Sequence, residues 1–128
     1  MSAHSFHAKQ GLILVEVEAV GPAGNANLKL VLDTGATTSL INLATLLYLG
    51  FDPDQSPKKV RRTTGSTVEI VPVVILTRLS ALGQHRFGFP VIAHALPASS
   101  AVDGLLGLDF LRDLVLTIDF RAGEMTLS

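Results

Sequence analysis

The chain has 128 residues, which is enough for one domain with a buried core and too few for two lobes of ordinary size. Its 10 basic and 11 acidic residues give a net charge of −1, so the composition offers no positive excess to attract nucleic acid or an anionic membrane. Cysteine is absent, which excludes a disulfide framework, a thiolate nucleophile and a zinc–thiolate site.

The first half of the chain predicts a hairpin, a short strand and a short helix. Its first apolar run alternates and is rich in β-branched residues, and a turn rich in Gly and Pro separates it from a second run. Asn42 has a side chain suited to an N-cap, and Gly50 can close a helix. The predicted elements are strands over Leu12–Val20, Ala26–Leu32 and Ser39–Ile41, and a helix that follows Asn42 and ends at Tyr48.

The second half predicts further short strands and one more helix. Gly65 and Ser66 separate two of these strands, which indicates a hairpin with a polar tip. Many short strands with closely spaced turns are typical of a compact all-β, barrel-like domain. The predicted strands are Val60–Thr64, Thr67–Leu76, Thr77–Leu82, His85–Ala95, Val115–Phe120 and Glu124–Leu127, and the predicted helix is Leu108–Leu114.

The predicted domain covers residues 11–128 and follows a flexible N-terminal segment, residues 1–10. This segment lacks the apolar run of a signal peptide and is too polar to predict a strand, so we expect Glu124–Leu127 alone to supply any sheet between subunits. The densest apolar stretch, Val68–Leu76, is about half as long as a membrane-spanning helix requires. We therefore expect a soluble, cytoplasmic protein.

Asp33 stands at the end of an apolar run and at the start of a tight turn. A strand that ends at Leu32 would carry this carboxylate out of the core, and Gly35 would allow a positive φ or a close approach to a ligand. Taken alone, Asp-Thr-Gly can also be an ordinary turn. Because the chain contains one Asp-Thr-Gly, chemistry that needs a pair of such carboxylates would need a second copy of the chain.

Three features follow one another along the chain: Leu32–Ala36, the predicted hairpin tip Thr64–Ser66, and Asp103–Leu111. In this order and spacing they resemble the retropepsin-like aspartic proteases, the single-domain relatives of retroviral proteases. The resemblance extends over residues 11–127. It implies an all-β fold, a closed barrel-like acid-protease half-fold with one or two short helices, assembled as a two-fold dimer.

The resemblance also implies a role for each matching residue. The chain would supply one catalytic carboxylate, a loop that braces the dimer, a flap that closes over bound peptide, and an apolar support beneath the catalytic loop. These residues are the catalytic Asp33; the loop residues Thr34, Gly35 and Ala36; the flap residues Thr64, Gly65 and Ser66; and the loop support Gly104, Leu105, Leu106 and Gly107.

The implied function is that of an aspartic endopeptidase acting as a homodimer on an extended peptide or unfolded protein. Two carboxylates about 3 Å apart cannot both ionise and share one proton, so one can activate a water while the other donates to the peptide carbonyl. This chemistry needs no metal and no cofactor, and neither nucleic acid nor a membrane is an expected partner. Two alternatives stay open: a dimeric peptide-binding or scaffolding module of the same fold that is weakly active or inactive, and a monomeric β-domain without a site.

Other polar residues predict simpler roles. Four further aspartates have no following Thr/Ser-Gly, so we expect them to be solvated or to cap backbone groups; they are Asp103, Asp109, Asp113 and Asp119. The basic run Lys58–Arg62 predicts a solvated face. His85 and His94 are single histidines on predicted strands and are expected to be surface or core residues rather than ligands. Ser39 has no evident histidine partner, so a serine triad is unsupported.

Overall fold

Strands make up far more of the described protein than helices do, as the sequence predicts. The structure is a computed structural model that describes residues 3–128, apart from the side chain of Thr64. Met1 and Ser2, at the start of the predicted N-terminal segment, lie outside the described residues. Residues 3–128 form strands β1 (Ala3–Ser5), β2 (Leu14–Gly21), β3 (Gly24–Leu32), β4 (Leu40–Asn42), β5 (Lys59–Thr64), β6 (Thr67–Ala81), β7 (Gln84–His94), β8 (Gly104–Leu106), β9 (Leu116–Asp119) and β10 (Glu124–Leu127), and helices α1 (Leu43–Tyr48) and α2 (Leu108–Leu111), with a 3-10 turn at Pro53–Gln55.

Six strands close into a barrel, in agreement with the predicted fold class. Their order is β2-β3-β8-β4-β7-β6, and antiparallel pairing between β2 and β6 closes the ring. Strand alternation decides which side chains face the inside: Val15, Val17 and Ala19 are buried, whereas Glu16 between them is exposed. The barrel wall therefore follows from the period-2 pattern of its strands.

The core of the barrel also takes side chains from both short helices. Leu46 of α1 and Phe110 of α2 are fully buried in the same cluster as the strand residues Leu30 and Leu76. The ring of Phe110 meets that of Phe89 edge to face at 5.8 Å, a favoured aromatic geometry. None of the helices within residues 3–128 is long and apolar enough to cross a membrane.

The hairpin formed by β5 and β6 extends beyond the barrel. The first part of β6 pairs with β5, from Thr67 opposite Thr64 to Pro72 opposite Lys59, and pairing with β7 begins only at Val73. The two strands predicted over 67–76 and 77–82 are thus one continuous strand. Gly65 has φ of +58° at the hairpin tip, which a glycine adopts without strain.

A separate three-stranded sheet, β1-β10-β9, joins the two ends of the chain. Ala3 lies opposite Thr126 and Ser5 opposite Glu124, so the expectation that residues 1–10 are too polar for a strand was wrong. Backbone pairing to β10 forms β1 even though two of its three side chains are exposed. The flexibility of the segment and its boundary at residue 10 stay predictions.

Helix α1 follows Asn42 and ends at Tyr48 as predicted, whereas α2 ends earlier than predicted for a local reason. The helix α2 ends at Leu111 rather than Leu114 because Arg112 is extended and Asp113 has φ of +67°. Asn42 precedes α1 as predicted but makes no side-chain cap bond. Its Oδ1 instead accepts a hydrogen bond from Leu96 N at 3.2 Å, which ties α1 to the segment after β7.

Candidate active site

Asp33 leaves the barrel at the end of β3 in a fixed position. Its backbone N–H donates to the carbonyl of Leu106 at 2.9 Å, in line with the parallel pairing of Leu32 with Leu106. The side chain is half-buried. The apolar strand thus ends with a carboxylate at the barrel surface, as the sequence predicts.

The turn after Asp33 folds back on its carboxylate. Gly35 N–H donates to Asp33 Oδ1 at 2.9 Å, and Ala36 N–H donates to the Asp33 carbonyl at 3.2 Å. A Cβ at Gly35 would lie 3.2 Å from the same Oδ1, so glycine leaves the most room for this contact. Thr34 and Gly35 are exposed. Among the described residues the Asp33 carboxylate makes this one protein hydrogen bond, which leaves Oδ2 available to a ligand.

The segment Gly104–Gly107 runs from a strand between β3 and β4 to the Asp33 loop. Strand β8 lies between β3 and β4, where a Cβ on Gly104 would come within 1.9 Å of the Leu40 carbonyl oxygen. A Cβ on Gly107 would lie 2.8 Å from the Ala36 carbonyl oxygen. Leu106, through its carbonyl, and Gly107 thus contact the loop, whereas Gly104 contacts β4, and a supporting role for the whole segment stays a prediction.

A buried polar network that the sequence analysis missed joins the loop to α2. Ser39 is fully buried; its Oγ donates to Asp109 Oδ1 at 2.7 Å and accepts from Gly107 N–H at 2.9 Å. Ser39 N–H donates to Asp109 Oδ2 at 2.9 Å. The only available signal was one hydroxyl at the start of a strand predicted to enter the core, and nothing local connects it to an aspartate 70 residues later.

Of the four aspartates predicted to be solvated or to cap backbone groups, Asp103, Asp109 and Asp119 bind backbone groups, and Asp113 is exposed. Asp103 Oδ2 accepts from Lys29 N–H at 2.9 Å, and Asp109 Oδ1 also accepts from Phe110 N–H at 2.9 Å. Asp119 Oδ1 accepts from two N–H groups of its own turn. These carboxylates are occupied by the fold, which distinguishes them from Asp33.

A cleft of about 850 Å³ lies between the Asp33 loop and the β5–β6 hairpin. Its walls come from the loop, from β5 and from β7, and they include the apolar residues Leu40, Val60, Val73, Phe89, Ile92 and Leu105. Lys58, Arg61 and Arg62 also line it. For these cations the sequence predicted only a solvated face, whereas the structure places them around the cleft that contains Asp33.

The predicted flap residues lie at the far end of this hairpin. Gly65 and Ser66 are exposed and do not line the cleft, whereas the strand that leads to them does. The side chain of Thr64 lies outside the described residues. The hairpin is thus in the right place to border a ligand, and a closing role for its tip stays a prediction.

No group of three or more histidine, aspartate or glutamate side chains within residues 3–128 is arranged to hold a metal ion. His85 Nδ1 lies 2.6 Å from Ser80 Oγ across the β6–β7 hairpin. His94 Nδ1 lies 3.7 Å from a carboxylate oxygen of Glu69. His85 is exposed and His94 is half-buried, and each lies beside a polar side chain of the neighbouring hairpin strand.

Comparisons with known proteins give a match to one family model and matches to solved structures. The aspartyl protease family model matches residues 16–110. A retropepsin-like aspartic protease from Rickettsia conorii superposes with a TM-score of 0.73 at 16% identity, over 98% of this chain and 89% of that one. The retroviral protease-like domain of Ddi1 from Leishmania major gives 0.56 at 20% identity, over 94% and 96%. Comparison with curated proteins gave no match.

Proposed function

This chain belongs to the aspartyl protease family, and we propose that it is an aspartic endopeptidase whose dyad pairs Asp33 with Asp33 of a second copy. The observation that carries the proposal is which carboxylate oxygens around the cleft have protein hydrogen-bond partners and which do not. Asp33 lies on a rigid glycine turn with one oxygen free of protein partners, whereas Asp109 beside it has both oxygens bound by the fold. A second, equally available carboxylate requires a second chain.

The exposed face of the loop supports this arrangement. Thr34 and Gly35 face solvent in the single chain, although the residues on either side of the loop are held by the barrel. A two-fold axis beside them would bring two copies of the same turn together, with Thr34 bracing one loop against the other. The 128-residue chain would then make half of a site that only a homodimer completes.

The proposed reaction needs only the two carboxylates and water. At a separation of about 3 Å the pair holds one proton between them. The ionised carboxylate takes a proton from a water molecule while the water oxygen attacks the peptide carbonyl carbon. The protonated carboxylate donates its proton to the carbonyl oxygen. As the tetrahedral intermediate collapses, one of its hydroxyls returns a proton to the carboxylate that is now ionised, the C–N bond breaks, and the departing nitrogen takes up the proton of the other carboxylate.

The proposed substrate is an extended peptide or an unfolded protein segment. The cleft is bordered on one side by a two-stranded hairpin, and backbone groups of such a hairpin can pair with an added strand. Thr64, Gly65 and Ser66 would form the tip of a flap over this peptide. Apolar walls on β7 and β8 would take its side chains.

Replacement of Asp33 by asparagine tests the catalytic assignment. Asp33→Asn keeps the shape of the side chain but cannot ionise, so we expect cleavage of an unstructured peptide library to fall by about 10²-fold or more. Asp113→Asn is the matched control, because Asp113 is exposed and asparagine tolerates its positive φ equally well. Equal cleavage by wild type and Asp33→Asn would refute the assignment. Peptide binding by wild type without any cleavage would favour the binding-module alternative.

Mixing the two proteins tests the shared dyad. Asp33→Asn chains are added to wild type at constant total concentration, under conditions that let subunits exchange. A dyad built from two chains predicts activity proportional to the square of the wild-type fraction, because mixed dimers are inactive. A linear dependence would show that each chain is active alone.

A further inference from the structure

Three cations in the Asp33 cleft lack acidic partners. Lys58, Arg61 and Arg62 line this cleft, yet the ion pairs found among residues 3–128 are Glu18 with Arg78 and Glu69 with His94. The side chains of the three cations make no hydrogen bond to the described part of the protein either. Net charge does not explain their clustering, because the chain as a whole carries −1.

Arg62 is the cation best placed to meet a ligand. Val60, two residues earlier on β5, packs against the small buried cluster of Leu40, Val71 and Ile92. Side chains at i and i+2 of a strand share a face, so Arg62 extends from the face that covers the cleft, and it is half-buried. Its cross-strand neighbour Glu69 lies within ion-pair distance of His94 and not of Arg62.

Within residues 3–128 no ion pair joins these cations to the carboxylates that line the cleft. Asp109 is bound to Ser39 and to backbone N–H groups, and Asp33 accepts from Gly35. A guanidinium with unused donors in a partly buried cleft is stabilised by a carboxylate that enters with the ligand, because such pairs form short, charge-assisted and often bidentate hydrogen bonds.

Resting on the function proposed above, we infer that the cleft selects peptides with an acidic side chain close to the scissile bond and that Arg62 binds this side chain. Val60 and Arg62 lie on the same face of β5, so β5 presents an apolar and a cationic group about 7 Å apart, which is the spacing of residues i and i+2 in an extended strand. A peptide lying along β5 has the same repeat. The matching substrate therefore has its acidic residue two positions from an apolar one.

Paired peptides test this selectivity. Sites that the wild-type protein cleaves in a library are resynthesised with either Glu or its neutral isostere Gln at the position two residues from the apolar side chain. We expect kcat/KM to be about tenfold higher for the Glu peptides, the effect of one hydrogen bond to a charged group. The preference should shrink as salt is raised, because part of it is an interaction between partly exposed charges.

Two variants of β5 residues test whether Arg62 is the cause of the preference for Glu peptides. Arg62→Gln should cleave Glu and Gln peptides about equally, whereas Lys59→Gln removes the same charge from a residue that does not line the cleft and should keep the preference. A preference that survives in Arg62→Gln, or one that is lost equally in Lys59→Gln, would overturn the assignment to Arg62.

A binding measurement separates this inference from the proposed function. Fluorescence anisotropy is measured on the Asp33→Asn protein, where turnover does not interfere, with a labelled pair of unstructured peptides that carry Glu or Gln two positions from an apolar residue. Tighter binding of the Glu peptide that is lost in Asp33→Asn/Arg62→Gln supports the inference even if wild type cleaves nothing. Cleavage of the library with no preference for Glu refutes the inference and leaves the proposed protease intact.

Discussion

The Asp33 loop and the β5–β6 hairpin border the same cleft but are built in opposite ways. The loop is held on several sides by backbone contacts, from Asp33 N–H to Leu106, from Leu108 N–H to Ala36, and through the buried hydroxyl of Ser39. Its supporting glycines leave no room for a single added carbon. A displacement of the loop would break several of these contacts at once.

The hairpin depends on far fewer contacts. Among the described residues β5 pairs only with β6, which continues into the barrel, and side-chain packing of the hairpin against the barrel comes from the small cluster around Val60, Val71 and Ile92. On the other face Val68 and Ile70 are exposed, by 50% and 71%. A segment with little buried surface and one neighbouring strand opens locally at a lower free energy than the core does.

This difference separates two requirements of a peptide-cleaving site. A carboxylate that activates water must be held in place, because small displacements reduce catalysis strongly. A wall that admits an extended chain must be able to separate from the barrel without unfolding it. The comparison predicts that equivalent substitutions cost much more in the loop and its support than in the hairpin.

The largest effect is expected from matched glycine substitutions in the two regions. Gly104→Ala places a Cβ 1.9 Å from the Leu40 carbonyl oxygen at φ of +155°, and should destabilise the fold by about 3 kcal/mol or more. Gly65→Ala at the hairpin tip has φ of +58° and open space, and should cost about 1 kcal/mol. Urea unfolding measures both. Equal losses would contradict the comparison.

A smaller effect is expected from matched serine substitutions. Ser39→Ala removes the buried hydroxyl and leaves Gly107 N–H and Asp109 without it, which should cost about 2 kcal/mol in urea unfolding. Because the loop rests on this network, kcat should fall as well. Ser66→Ala at the exposed hairpin tip should stay within about 0.5 kcal/mol of wild type. A neutral Ser39→Ala would show that the network does not hold the loop.

Local patterns predicted the parts of this molecule whose causes are local. Alternation of apolar residues identified the strands of the barrel wall, and the change from Leu32 to Asp-Thr-Gly located the exit of the carboxylate. The β5–β6 hairpin was predicted by its turn residues, because Gly65 suits the positive φ of the tip. The support at Gly104–Gly107 came from resemblance to a family, since its contact with the loop joins residues about 70 positions apart.

The features that were missed depend on partners distant in sequence. Strand β1 forms because its backbone pairs with β10, and no alternation of apolar and polar residues in this segment predicts a strand. Ser39 and Asp109 meet only after β8 is inserted between β3 and β4. Lys58, Arg61 and Arg62 of the basic run line the cleft because the hairpin borders the Asp33 loop, and a run of charges alone does not indicate which face it will cover.

The smallest effect is expected at Glu18, a carboxylate that is hydrogen-bonded by two residues, as Asp109 is, but is more exposed to solvent. Glu18 accepts hydrogen bonds from Asn25 at 2.8 Å and from Arg78, and both it and Arg78 are about a third exposed. The hydrogen bond from Asn25, followed by the contact and charge of Arg78, lowers the pKa of Glu18. Because water screens such contacts, Glu18→Gln should lower the melting temperature at neutral pH only slightly, far less than Ser39→Ala.

The pH dependence of this last variant has a definite sign. A carboxyl group whose pKa is lower in the folded than in the unfolded chain stabilises the fold above the unfolded pKa and loses this effect as the pH falls through the folded one. The gap in melting temperature between wild type and Glu18→Gln should therefore close in acid, with the exposed Glu16→Gln on the same strand as control. If Glu18→Gln lost as much stability as Ser39→Ala, burial would not be what makes the hydrogen bonds around the Asp33 loop more stabilising than those at the surface.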